Sequence, residues 1–355
     1  MKQNLIYIFP SYSTFVKKDI DFLSENYQVL IPNHNWLDKK LTPLRFVQQF
    51  YFLIKNLKSC KAIFVMFGGY WSFLPSVIGK IFNIPVYIIL GGTDCVSFPN
   101  LDYGSLRKPI LKYFIKWSYK LCDTLLPVDE SLVYSNYTYS DLSLYNHQGY
   151  KYFFSNISTP YKVIYNGFDT VLFSDENYHK IPNSFICVAS ISSMMRFKLK
   201  GIDKMLELAK ANENCSFTIV GVADSVVNML GDIPTNVQFF PVMTQEKFKQ
   251  YLLQSEFVLQ LSISEGFPNA LCEAMLCKCI PIGSSVGAIP LIIADSGFVM
   301  ESSNSEYLQL KFKEILQLNS ENKLNLAHKA RNRIVDNFDI SIRKQLFLDL
   351  ILSKK

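Results

Sequence analysis

The sequence predicts an α/β protein built from two Rossmann-like parallel-sheet domains facing each other across a cleft. Three observations carry that reading. At roughly 150 residues per domain, a chain of 355 residues divides into two units, each large enough for a core. Hydrophobic residues make up 49% and charged residues 19%, against roughly a quarter charged in ordinary soluble chains, which excludes intrinsic disorder. Short apolar runs also alternate with helix-length stretches along the chain, the rhythm of βαβ units.

In the first half the apolar runs fall at 5–9, 28–31, 62–67, 86–90, 124–128 and 161–164. The first is too short for the apolar core of a signal peptide and reads as an opening strand. Between Lys61 and Asp94 the only charge is Lys80, and 62–79 is uncharged over 18 residues, the lower limit for a membrane span. Gly68, Gly69, Pro75, Asn83 and Pro85 break this stretch into strand, helix and strand, as in a sheet buried on both faces. Residues 134–152 are rich in Tyr, Ser and Asn and read as an exposed loop or a poorly ordered helix.

Asn166-Gly167 is a turn signal, and the polar residues after it read as a linker joining the halves near residue 175. Strand runs resume at 185–190, 216–220, 237–240, 257–261, 280–282 and 297–300, with the clearest helices at 202–211 and 270–277. An amphipathic pattern at 341–352 closes the chain. The domains are therefore drawn at 1–170 and 171–336, with a C-terminal helix in 337–355 that can return to the first.

Lys+Arg 36 against Asp+Glu 30 leaves +6, without a block of five like charges, so the nucleic-acid footprint is missing. A mildly basic surface favours phosphate-bearing ligands or anionic lipid. The eight cysteines are scattered; Cys272, Cys277 and Cys279 lack C-x-x-C spacing and a His pair to complete a zinc site. They read as reduced, mostly buried thiols of a reducing, cytoplasmic compartment. His34, His147, His179 and His328 share no motif and read as surface residues.

The segment 264–275, Ser-Glu-Gly-Phe-Pro-Asn-Ala-Leu-Cys-Glu-Ala-Met, follows an apolar strand and opens a helix. Gly266 lets the backbone approach a ligand, and Pro268 or Asn269 starts the helix. Its N-terminus offers unpaired N–H groups to a phosphate. Glu265 precedes the helix and Glu273 lies two turns into it, so the two bracket that site rather than sharing one helix face. They suit a ligand with hydroxyls on both sides of its phosphates, or else are ordinary surface glutamates. A second segment, 194–203, holds Arg196, Lys198 and Lys200 before a helix start. Three cations there neutralise a diphosphate without a metal, or form a solvated basic loop.

The E-x7-E pair Glu265 and Glu273, the Lys200-Gly201-Ile202-Asp203 segment and the Tyr165-Asn166-Gly167-Phe168-Asp169 turn resemble retaining glycosyltransferases of family 4, which have the GT-B fold. The stretch 283–290, ending Ala288-Ile289-Pro290, fits their usual strand-to-loop element. The likeness covers most of 160–340, and the N-terminal half only in architecture. It implies transfer of a sugar from a nucleotide-diphosphate donor to an acceptor hydroxyl, with retention at the anomeric carbon, no cofactor and no metal. Glu265 then holds donor sugar hydroxyls and Glu273 the ribose. The backbone of Gly266, Phe267, Pro268, Asn269 and Ala270 helps hold the donor, and Lys200 stabilises the leaving diphosphate.

The chain also departs from that pattern. The family's strand usually ends in Gly-Arg, whereas this one ends Val188-Ala189-Ser190, so Arg196 is expected to substitute from the following loop. The family's last donor loop often has Glu after the Pro; here Leu291 follows Pro290. In place of the family's N-domain His, the strand ends Leu90-Gly91-Gly92-Thr93-Asp94. Asp94 is expected to enter the cleft and orient the acceptor or take its proton, with a loop or helix cap as its plainer role. Gly68-Gly69-Tyr70-Trp71 either shapes the acceptor site or makes a tight turn. Residues 107–120 are basic, aromatic and helical in period, and lie either on the inner face of the cytoplasmic membrane or simply on the domain surface. The resemblance points to cell-surface polysaccharide or lipid-linked oligosaccharide synthesis. The alternative is a non-catalytic nucleotide-sugar-binding partner of the same fold.

Overall fold

The structure, a computed structural model, describes residues 2–32, 34–173 and 179–353. In the first half, β1 (Asn4–Ile8), β2 (Gln28–Leu30), β3 (Cys60–Met66), β4 (Val86–Leu90) and β5 (Thr124–Pro127) pair in the order β2-β1-β3-β4-β5, parallel at every junction. Helices α1 (Thr14–Asn26), α2 (Thr42–Asn56), α3 (Tyr70–Phe82) and α4 (Pro109–Leu121) make the crossovers. All five residues of β4 are buried, as expected of a strand covered on both faces. The uncharged stretch 62–79 is thus β3 and most of α3, and α3 stops at Asn83 in the left-handed conformation (φ 54°), which Asn tolerates. Among the described residues no helix is long and apolar enough to cross a membrane.

Two parts of this half differ from expectation. Residues 134–152, expected as an exposed loop or a poorly ordered helix, are an exposed loop only in part, at 138 and 141–146. They form a hairpin, β6 (Ser135–Asn136) with β7 (His147–Gln148), and a single helical turn, α5 (Tyr150–Phe153). Tyr137, Tyr139 and Tyr150 are buried, because their rings reach neighbouring elements that a polar-looking sequence does not reveal. Residues 161–164 run along β5, with Lys162 N–H donating to Leu125 O (2.9 Å) and Ile164 N–H to Pro127 O (3.0 Å). They form one bridge rather than a strand, since Pro127 of β5 has no N–H to donate to Lys162 O and complete the next one.

The second half holds β8 (Ile181–Ile191), β9 (Ser216–Val222), β10 (Val237–Phe240), β11 (Ser255–Gln260), β12 (Ile280–Ser284) and β13 (Phe298–Met300), paired in the order β10-β9-β8-β11-β12-β13, again parallel. Its helices are α6 (Met194–Leu199), α7 (Ile202–Ala211), α8 (Asp224–Val227), α9 (Gln245–Gln254), α10 (Asn269–Leu276), α11 (Ile289–Ile293), α12 (Ser305–Leu316) and α13 (Ser320–Phe338). The junction expected near residue 175 lies outside the described residues. All eight cysteines are free, and seven are buried.

The last helix, α14 (Ile340–Ser353), packs on the first sheet. Its buried residues Arg343, Phe347 and Ile351 recur every fourth position, one helical stripe. Phe347 stacks on Phe64 with centroids 5.1 Å apart, and Tyr87 Oη–H donates to Leu350 O (2.9 Å). Arg343 Nε and Nη2 donate to the two carboxylate oxygens of Asp19 (2.7 and 2.8 Å), and Tyr7 Oη–H donates to the same carboxylate (2.8 Å). The chain crosses between the two halves at adjacent places, where Phe168 N–H donates to Phe338 O and Ile340 N–H to Phe168 O, both 2.9 Å.

Candidate active site

The carboxyl ends of both sheets meet, as ligand-binding ends of open α/β sheets do. Gly266 sits against Gly91 and Gly92 so closely that a Cβ on Gly266 would overlap the Gly91 carbonyl oxygen. One on Gly92, whose φ is +129°, would lie 3.1 Å from the Gly266 nitrogen. Glycine at both positions therefore permits backbone-to-backbone contact across the seam.

Glu265, next to that contact, is the centre of a polar cluster. Its Oε1 accepts from Lys200 Nζ in an ion pair, from Ser262 Oγ (2.7 Å) and from Gln260 Nε2 (3.0 Å). Both charged side chains are largely shielded from water, at 19% and 11% exposure. Burial alone would lower the Lys200 pKa; the opposing charge of Glu265 and the influence of Tyr103 outweigh it and leave the ammonium above its ordinary value. Lys200 therefore stays protonated, and two of its three N–H donors remain after the bond to Oε1.

Tyr103 faces this pair from the first half. Burial raises its pKa, with Lys200 lowering it, Glu265 raising it and Arg196 lowering it in turn, and its hydroxyl lies 3.3 Å from Thr93 Oγ1. Arg196 is exposed on α6. It therefore sits in a short helix rather than in the loop the sequence suggested, because Ser193 Oγ caps the Arg196 N–H (3.3 Å) and starts the turn early.

Asp94 does not enter the cleft. It is 1% exposed, and its carboxylate is turned inward. Oδ2 accepts from Gly68 N–H and Tyr119 Oη–H (both 2.8 Å), while Oδ1 accepts from Gly91 N–H (3.2 Å) and Gly92 N–H (3.1 Å). Burial raises its pKa, and the Gly68, Tyr119 and Gly91 bonds pull it back. The expected acceptor-facing role is corrected: Asp94 ties the β3 and β4 loops together and so shapes the seam. Gly69 likewise caps α3, and Trp71 Nε1–H donates to Met66 O (2.9 Å), a tight turn.

Glu273 is in a different setting. With Asn269 and Ala270 of α10 it lines a cleft cavity of about 1070 Å³, walled also by the ends of β8 and β9, by Lys17 and Lys18 of α1, and by Lys344 of α14. Burial pushes its pKa up to about 6, and the Lys18 charge offsets part of that. Asn269 opens α10, with Pro268 before it as an N-cap that makes no side-chain bond. The helix N–H groups therefore face the cleft without a side-chain cap, and a helix N-terminus of this kind suits an anion. Asn269 Oδ1 accepts from Asn166 Nδ2 (2.9 Å), which sets the turn 165–169 against the start of α10. Phe267 is 7% exposed and packs on Phe338 and Tyr165, at 5.4 and 6.0 Å between centroids, so its side chain is structural. Gly287 and Ala288 close the back of the loop, with Ala288 N–H donating to Gly266 O (3.0 Å).

The structure thus gathers Lys200, Glu265 and Arg196 at one end and Asn269, Ala270 and Glu273 at the other, along the seam marked by Gly266. Sequence reasoning missed Tyr103, Gln260, Ser262 and the α1 lysines. Ser262, three residues before Glu265, and Gln260, the amide ending an apolar strand, were readable signals; Tyr103 and the lysines come from elsewhere in the fold and had none.

Residues 179–333 match the family model of glycosyl transferases group 1. Trehalose synthases of Thermococcus litoralis and Pyrococcus furiosus are each 35% identical over 106 residues, covering 28% of this chain and 24% of theirs. The chain thus matches about a quarter of the length of these curated relatives. Among solved structures, sucrose-phosphate synthase from Thermosynechococcus elongatus aligns with a TM-score of 0.74 at 13% identity, over 99% of this chain and 100% of that one. Anabaena HepE in complex with UDP aligns at 0.72 and 14% identity, with the same coverage. The chain has the GT-B fold, and residues 179–333 of it match the glycosyl transferases group 1.

Proposed function

We propose that this protein is a retaining, metal-independent glycosyltransferase that moves a hexosyl or N-acetylhexosaminyl group from a nucleotide diphosphate to an acceptor hydroxyl. The observation that carries it is the division of the E-x7-E pair, with Glu265 ion-paired to Lys200 and Glu273 on the wall of the cleft cavity. The ribose hydroxyls donate to Glu273, the diphosphate lies over the N-terminus of α10, and the sugar reaches Glu265. As the anomeric bond breaks, negative charge builds on the departing phosphate. The free N–H donors of Lys200, with Arg196, stabilise it there, in place of a metal. With Asp94 turned inward, the departing phosphate oxygen takes the acceptor's proton on the sugar's own face. The C–O bond to the acceptor forms on that face as the bond to phosphate breaks, so configuration is kept. A UDP-sugar is the first donor to try, because HepE has been solved with UDP and with UDP-glucose.

The acceptor is assigned to cell-surface polysaccharide or lipid-linked oligosaccharide assembly at a membrane face. Residues 39–122 carry twelve Lys or Arg against two Asp, while the rest of the chain carries 24 against 28 Asp or Glu. Within this basic stretch α3 packs between α2 and α4, whose Phe46 and Phe114 rings approach to 5.7 Å, and the two outer helices expose Val47, Tyr51, Ile110 and Tyr113. An apolar surface ringed by cations suits an anionic leaflet.

The test is turnover of UDP-sugars in a chelator, with the anomeric configuration of the product read by NMR. Retained configuration with undiminished rate supports the proposal. Inverted product or activity that requires a divalent ion refutes it.

A further inference from the structure

A second interdomain cavity, of about 530 Å³, shares no wall residue with the cleft cavity around Glu273. Its size falls within the roughly 300–1,000 Å³ of small-molecule sites. It is enclosed by hairpin residues 138–142 from the first half, the first turn of α7, and the loop 302–305 after β13. Its floor includes Leu261 and Ile263. Their carbonyls accept from Tyr139 Oη–H (3.4 Å) and Tyr137 Oη–H (2.8 Å) of the hairpin. Ser303 N–H donates to Tyr139 O (2.8 Å) and closes the third side. The cavity is thus a built space, fixed by hydrogen bonds between the two halves. It adjoins the reaction centre: Gly201 in its wall follows Lys200, and Ile263 lies two residues before Glu265.

The chemistry of the wall selects the ligand. Lys198 and Lys204 are balanced by Asp141 and Asp203, and Lys204 is already engaged with Glu207 (3.0 Å) and Ser305 (2.9 Å). No surplus positive charge is left for a phosphate, so the space suits an uncharged ligand rich in hydroxyls. Asp203 Oδ1 is buried without a hydrogen-bond partner, a state that is unfavourable until a donor arrives. Burial also holds the Asp203 pKa above its ordinary value. From the hairpin, Thr138, Tyr139 and Ser140 line the space, with Ser302, Ser303, Asn304 and Ser305 opposite, a wall of hydroxyls and amides that suits hydroxyl-bearing ligands.

We propose that this cavity is a carbohydrate subsite that holds a neutral segment of the acceptor glycan, with Asp203 accepting one of its hydroxyls. The proposal rests on the glycosyltransferase reading above. Saturation-transfer NMR with maltotriose and with chitotriose tests it, on the wild type and on Asp203→Ala and Ser303→Trp; the second variant fills the space from a loop. Binding of UDP-, GDP- and ADP-sugars is measured on the same samples. The expected result is trisaccharide contact in the wild type, weakened about tenfold in Asp203→Ala and abolished in Ser303→Trp, with nucleotide-sugar binding unchanged in both. Absence of contact with either trisaccharide in the wild type, or equal contact in all three proteins, overturns the subsite. Failure of the wild type to bind any nucleotide sugar overturns the transferase reading separately, since trisaccharide contact is read without a donor.

Discussion

Asp94 and Glu273 are both shielded carboxylates with raised pKa values, yet they differ in what surrounds them. Asp94 has four donors converging on it, so Asp94→Asn turns an amide toward N–H groups that need an acceptor. The variant is expected to lose about 2–4 kcal/mol of stability in urea denaturation, while its folded fraction binds nucleotide normally. Lost turnover without lost stability would return Asp94 to the cleft. Glu273 has burial pushing its pKa from about 4.5 to about 6. Between these values the folded state holds more protons than the unfolded chain, so the wild type loses stability as pH rises through that window. Relative to it, Glu273→Gln is expected to gain about 2 kcal/mol between about pH 4 and about pH 7. If the carboxylate accepts ribose hydroxyls, wild-type nucleotide affinity also falls as pH drops below about 6, and the variant shows neither high affinity nor that dependence. Glu265, Glu273 and Lys200 were legible in the sequence because motif spacing around a strand end and a helix start ties them to one place. Asp94 was not: a carboxylate after Gly-Gly reads the same whether it turns outward to solvent or inward to Gly68 and Tyr119.

Strands and crossover helices were legible for a similar reason, since a run such as 86–90, apolar at every position, fits the interior of a parallel sheet. The hairpin was not, because its tyrosines are buried by partners more than a hundred residues away, at Leu261 and Ile263. The closing helix is the element whose consequence is easiest to measure. Arg343 joins α14 to α1 through a bidentate pair with Asp19, both side chains under 5% exposed, and also donates to Tyr165 O (3.0 Å) at the crossing between the halves. Breaking a buried pair on one side leaves an uncompensated charge, so Arg343→Ala is expected to cost about 3–5 kcal/mol. Arg343→Met together with Asp19→Leu removes both charges and should recover much of that loss. Equal stability of the single and double variants in thermal unfolding would contradict the pairing.

At the scale of the whole molecule, two sheets meet where Gly92 and Gly266 touch, and charge is divided unevenly between the regions. The basic, apolar-studded face of α2 and α4 is expected to bind vesicles of phosphatidylglycerol and phosphatidylcholine, and to release them as salt rises toward about 1 M, where the Debye length falls to about 3 Å. Glu substitutions at Lys112 and Lys116 should abolish co-sedimentation; binding to pure phosphatidylcholine with the same affinity would refute the charge argument. The central claim, however, is that one seam assembles a nucleotide-sugar site from Lys200, Glu265 and Glu273. It is tested most directly by calorimetric titration of UDP-, GDP- and ADP-sugars without divalent metal into the wild type, Lys200→Ala and Glu273→Ala. The account predicts that the wild type binds one donor selectively and that each variant binds it at least about tenfold more weakly. Equal affinity in all three proteins, or no binding of any donor to the wild type, would contradict it.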